Sequence, residues 1–126
     1  MKKVIQTSDA PAPIGPYNQA IVVNGFLFAS GQIAINPSNN QLNNSSIQEE
    51  THQVMRNIKA VLLEAGYGLE HIVKTSIFLS DMALFTAVNE VYGSYFTDNF
   101  PARETVAVKE LPKSVNVEIS VTAYKA

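Results

Sequence analysis

"YNQAIVVNGFLFASGQI", residues 17–33, holds two β-rich runs on either side of Asn24-Gly25. Asn-Gly is the strongest short-range hairpin signal, because a type I′ turn needs positive φ at both central residues. Antiparallel strands are therefore expected near residues 17–23 and 26–33. "AIVV" and "FLFA" are apolar at every position, so neither strand separates a wet face from a dry one. "HIVKTSIFL" (71–79) repeats the pattern, with Val73, Ile77 and Leu79 in one alternating set and Ile72 and Phe78 in the other.

Two helices lie among these strands. Ser46 with Glu49 three residues on forms a possible capping box. Val54, Ile58, Val61, Leu62 and Ala65 then follow helical spacing up to Gly66, a natural residue after a helix end. A second helix is capped by Asp81 or Ser80 and carries Leu84, Val88, Val91 and Tyr95 as a stripe, with Pro101 stopping it. "KVIQ" supplies a short first strand. "ETVAVKEL" (104–111) and "VNVEISVTAY" (115–124) supply two last strands, expected beside each other. The order β-β-β-α-β-α-β-β describes an α+β domain with two helices on one sheet face. Two helices cannot cover both faces of so apolar a sheet. At ~25 cal/mol per Å2 a wet second face forfeits many kcal/mol. Burial of that face against other subunits is expected.

The totals agree with one domain, residues 1–126, carrying a real core. Hydrophobic residues make up 46%, and charged residues only 16%, a shortage that suits surface hidden in an oligomer. Net charge is −2 with no basic block, so no nucleic-acid partner is expected. There is no cysteine, which removes disulfides, thiolate nucleophiles and cysteine-held zinc. His52 and His71 stand apart without ligand spacing, so no metal is expected and both histidines read as structural or solvent-facing. "VIQTSDAPAPIGP" after Met1-Lys2-Lys3 is too polar and proline-rich for a signal peptide. No run reaches membrane-spanning length. A cytoplasmic protein is expected.

Chemistry has few places to reside. On the last strand Val117, Ile119, Val121 and Ala123 share one face, and Asn116, Glu118, Ser120 and Thr122 the other. If the helices cover the first set, Glu118 points to the inferred subunit interface. A solvated strand carboxylate is the commoner case; a partly buried acid exchanging protons with water is the sharper one. Arg103, at the mouth of a strand behind Pro101-Ala102, is either an ordinary surface cation or a two-pronged carboxylate receptor. Gly31 inside "FASGQI" suggests a bulge or a close approach, with packing an equal alternative. Ser30 and Gln32 flank it. Tyr17 follows Gly15-Pro16 and either walls a cleft or packs in the core. Asn89 shares a helix face with Thr86 and Gly93. No Ser-His-Asp set, P-loop or dinucleotide fingerprint is present.

"IGPYNQA", "FASGQI", "VMRNIKAVLLEAG", "NEVYGSYF", "PAR" and "VEI" stand here in an order and spacing that resemble the RidA family, also called YjgF/YER057c/UK114. The likeness covers nearly the whole chain. It implies the chorismate mutase-like fold, with a mixed sheet, two outer helices, and a homotrimer whose sheets form a central barrel with clefts between subunits. It implies hydrolysis of enamines and imines such as 2-aminoacrylate, released by pyridoxal-phosphate enzymes, with no metal or cofactor in the deaminase itself. By the same resemblance Arg103 grips the substrate carboxylate and Glu118 activates water. Backbone groups near Gly31 hold the imine nitrogen, and Tyr17, Ser30, Asn89 and Thr105 belong to the pocket. The family often has a small residue and then cysteine after "PAR"; Glu104-Thr105 stand here instead. Alternation predicts that Glu104 turns away from Arg103. "IAIN" replaces a more usual "IPLD"-like stretch at the cleft rim. The resemblance leaves a second reading, a non-catalytic trimer that senses small 2-keto acids. It leaves a third, RNA cleavage, which the charge balance opposes.

Overall fold

The computed structural model describes residues 1–126. Six strands form one mixed sheet in the order β1 (Lys3–Ile5), β2 (Ala20–Val23), β3 (Phe26–Ala29), β8 (Val117–Tyr124), β6 (Ile72–Leu79), β7 (Ala102–Ala107). Two-residue strands β4 (Ile35–Asn36) and β5 (Gln41–Leu42) pair across a polar turn at residues 37–40. Helices α1 (Ile47–Glu64) and α2 (Phe85–Gly93) cover one face.

Local signals decide the local structure. Asn24 and Gly25 turn with φ of 50° and 84°. The strands they join coincide with "AIVV" and "FLFA" and are shorter than the expected spans 17–23 and 26–33, because the chain leaves the ladder at Ser30. Ser46 caps α1, its hydroxyl accepting from the Glu49 amide at 3.1 Å. Gly66, at φ 82°, follows the helix end. Asp81 caps a short 3-10 turn that leads into α2, its carboxylate accepting from the Ala83 amide at 2.8 Å. α2 ends at Gly93, well before Pro101, so Tyr95 lies beyond the helix and not on its stripe.

Three expectations are corrected. The last two strands are not neighbours: β7 pairs with β6 in parallel, and β8 pairs with β3 and β6. β6, α2 and β7 form a crossover unit, and β8 already has partners on both edges. Val73 does not share a face with Ile77. A register shift between Ile72 and Lys74 leaves Val73 46% exposed and buries Ile72. Arg103 lies inside a strand, since β7 begins at Ala102.

The core packs α1 and α2 against the inner face of β8 and β6. Val117, Ile119, Val121 and Ala123 are buried there beside Val54, Ile58 and Val61. The opposite face has no cover. Phe26, Phe28, Val106 and Tyr124 stand on it, each at least 41% exposed. Cross-strand register places Glu118 on this open face opposite Phe78.

Candidate functional site

Glu118 stands on β8 where the sheet meets the proline-rich segment. Between the Phe28–Thr122 and Gln32–Ile119 pairs, the first side carries one extra residue. That bulge lifts Gly31 over Glu118. A Cβ at Gly31 would lie 2.9 Å from the Glu118 Cδ and 3.1 Å from its Cγ. Glycine is therefore what lets the carboxyl lie across this strand. Gly31→Ala should displace the carboxyl. For a Glu118 that acts in catalysis, that displacement should lower kcat about a hundredfold with little change in melting temperature, because rate depends steeply on placement. Unchanged kcat would show that the carboxyl tolerates the shift.

The surrounding cleft, about 420 Å3, is walled by Ile14, Tyr17, Ile33, Ile35 and Pro112, with Ser30 and Gly31 at its floor. Glu118 is its one carboxylate. Burial raises the Glu118 pKa above the ordinary glutamate value. Ser30 does not offer its hydroxyl to the cleft. It donates to the Asn18 carbonyl at 2.5 Å, and the Ser30 amide donates to Gln19 O at 2.9 Å. These bonds hold the loop that presents Tyr17.

Arg103 occupies a different cleft, about 480 Å3, with Asn89, Tyr92, Gly93, Phe100 and Pro101. Its Nη1 donates to Asn89 Oδ1 at 2.6 Å. Its Cζ lies 5.3 Å from the Tyr92 ring centroid and 5.7 Å from that of Phe85. No carboxylate pairs with it. Glu104 turns to the opposite face, as alternation predicts. There it binds Lys74 Nζ at 2.9 Å and accepts from Ser76 Oγ. The Ser76 hydrogen bond, with Lys74, holds the Glu104 carboxyl below its usual range. The Val108 amide donates to Leu79 O, so by alternation the Arg103 and Thr105 amides face away from β6, at the sheet's free edge. Thr105 lies two residues on from Arg103 on the same face. Its hydroxyl is buried without a partner and lines neither cleft.

The seven residues picked from sequence thus fall into separate groups. Tyr17, Ser30, Gly31 and Glu118 share one cleft; Asn89 and Arg103 share another; Thr105 lies beside the second. One copy holds Arg103 on the helix side of its edge strand and Glu118 on the open side of β8. The histidines are structural. His52 Nδ1 lies 2.8 Å from Tyr95 Oη, and His71 Nδ1 accepts from the Gly68 amide at 2.8 Å.

Sequence reasoning missed three buried residues that shape these clefts. Gln19 binds Thr7, Ala10 and Pro11 backbone groups at 2.7–3.3 Å, pinning the proline-rich wall. Asn57 donates to the Ile33 and Ile35 carbonyls at 3.1 and 2.9 Å, fixing the rim. Glu50 accepts from Asn116 N, Asn116 Nδ2 and Val117 N at the root of β8. Glu50 and Asn57 sit at helical spacing with Val54, Ile58 and Val61. A polar residue on an apolar stripe was the available signal.

Residues 7–125 match the family model described as Endoribonuclease L-PSP. The chain belongs to this family, the RidA or YjgF family. A Rid-family protein from Yersinia pestis, YyfA, has a crystal structure that superposes with a TM-score of 0.96 at 50% identity. The match covers 99% of this chain and 100% of that one. A RutC family protein of Pyrococcus horikoshii, PH0854, is 49% identical over 99% of both chains. The human 2-iminobutanoate/2-iminopropanoate deaminase is 42% identical over 99% of this chain and 91% of its own length. The chorismate mutase-like α+β architecture is thus the Rid fold. No helix is long and apolar enough to cross a membrane.

Proposed function

We propose that this protein hydrolyses small 2-imino acids, the tautomers of 2-enamines such as 2-aminoacrylate, to 2-keto acids and ammonia. Glu118 carries the reading. A half-buried carboxyl with a raised pKa and no hydrogen-bonding or ionic partner suits proton exchange with water. Arg103, unpaired and flanked by outward amides, suits a substrate carboxylate. The name of the human relative gives the reaction class.

In this reading two further copies cover the open sheet face, forming a trimer. The cleft then joins Glu118 of one copy to Arg103 of the next. Arg103 fixes the carboxylate and so the position of C2. Water adds to C2 as Glu118 takes one of its protons. The protonated carboxyl passes that proton to nitrogen, giving a carbinolamine. Glu118 then carries the hydroxyl proton to the same nitrogen, the C–N bond breaks as the C=O bond forms, and ammonia leaves the keto acid. Tyr17 and the Ile33–Ile35 rim exclude bulk water. Purified protein should speed ammonia and keto-acid release when added to a serine or threonine dehydratase reaction. Rates identical to the dehydratase alone would reject the proposal.

A further inference from the structure

The Arg103 cleft contains a side chain to which the hydrolysis assigns no step. Tyr92 is 3% exposed, and its hydroxyl donates to Thr75 Oγ1 at 2.9 Å. Thr75 is in turn the cross-strand partner of Arg103. The ring of Tyr92 then closes the circuit, its centroid 5.3 Å from the Arg103 Cζ. Phe85 adds a second ring at 5.7 Å. Asn89 engages Nη1 at 2.6 Å. Of the five N–H donors of a guanidinium, this arrangement commits one and leaves the rest for a ligand.

A half-exposed arginine without a protein carboxylate has no ionic reason to keep one rotamer. Two ring faces supply that reason, since a guanidinium is drawn to the negative face of an aromatic ring. Tyr92 is itself locked, because its hydroxyl is tied to the strand that carries Arg103's pairing partner. We infer that Tyr92 is a positioning residue that holds the Arg103 guanidinium in one plane before substrate arrives, so that the site selects ligands with a planar carboxylate. The inference rests on the reading that Arg103 receives the substrate carboxylate. Asn89, in the same arrangement, serves the guanidinium and not the substrate.

The experiment compares Tyr92→Phe, Tyr92→Leu, Phe85→Leu, Asn89→Ala and Arg103→Ala. Each is assayed for kcat and KM, and for 2-oxobutanoate binding by calorimetry, with a thermal melt as the check on folding. Tyr92→Leu should raise KM and the 2-oxobutanoate Kd about tenfold, with kcat changed less than about twofold. Tyr92→Phe keeps the ring face and should restore both to within about twofold. Should Tyr92→Leu fail to fold, Phe85→Leu and the exposed Asn89→Ala carry the test. Each should raise KM about three- to fivefold, and each effect should vanish in the Arg103→Ala background. KM unmoved by these changes, kcat falling as far as KM rises, or full effects persisting without Arg103 would overturn the positioning role. Failure of the parent reading looks different: Arg103→Ala itself would then leave KM and 2-oxobutanoate binding as in the unaltered protein.

Discussion

Arg103→Ala should raise KM for an imine substrate by about a hundred- to ten-thousandfold. A charge-assisted hydrogen bond is worth roughly 1.5–3 kcal/mol, and a guanidinium offers a carboxylate two in parallel. Each 1.4 kcal/mol is about tenfold. Folding should be spared, because Arg103 makes no ion pair and lies outside the core. Its one hydrogen bond, to Asn89, is exposed. The melting temperature should therefore hold while binding collapses. Steady-state kinetics of the variant with a dehydratase-generated substrate, beside a thermal melt, make the check. A variant that keeps its KM would remove Arg103 from the site.

Glu118→Gln separates a hydrolase from a sensor of keto acids. In a hydrolase it should lower kcat by about a hundred- to ten-thousandfold, the usual worth of a general acid–base. Keto-acid binding should change only a fewfold, because Arg103 remains. A sensor would lose nothing that matters. The same substitution carries a stability signature. Burial raises the folded-state pKa of Glu118 above its unfolded value. Its contribution to stability is therefore fully present below the unfolded pKa and is lost as pH rises through the folded one. Glutamine, neutral throughout, does not suffer that loss. The variant should melt higher than the unaltered protein at neutral pH, and the gap should close on acidification. The acid limb of kcat/KM should also fall above the ordinary glutamate range. Co-assembling Glu118→Gln with Arg103→Ala then tests the shared cleft. Each variant alone should be strongly impaired, but in randomly mixed copies of the proposed trimer roughly a quarter of clefts would hold both intact residues. Mixed assemblies with no recovered activity would refute a cleft built from two copies.

Much of the fold was legible because it is local. The Asn24-Gly25 turn, the Ser46 cap and the Gly66 stop each depend on a few adjacent residues. The alternation from Val117 to Ala123 is enough to turn Glu118 to the face opposite the core. The partner of β7 was not legible. Apolar strands pair equally well by pattern, and only the crossover through α2 puts β7 beside β6. The bulge at Ile72–Lys74 defeated alternation for Val73, because one inserted residue inverts every face before it.

The chain by itself determined which side chains could bear charge beside apolar surface, and that the sheet would be apolar on both faces. Those properties follow from composition and from spacing along neighbouring residues. Tertiary structure alone decided that Arg103 rests on Tyr92 and Phe85, that Glu118 lies across Gly31, and that the two charges stand on different faces of one copy. Those contacts join residues 11, 18 and 87 positions apart. Their geometry depends on strand order, register and a bulge, none of which any short window of sequence contains.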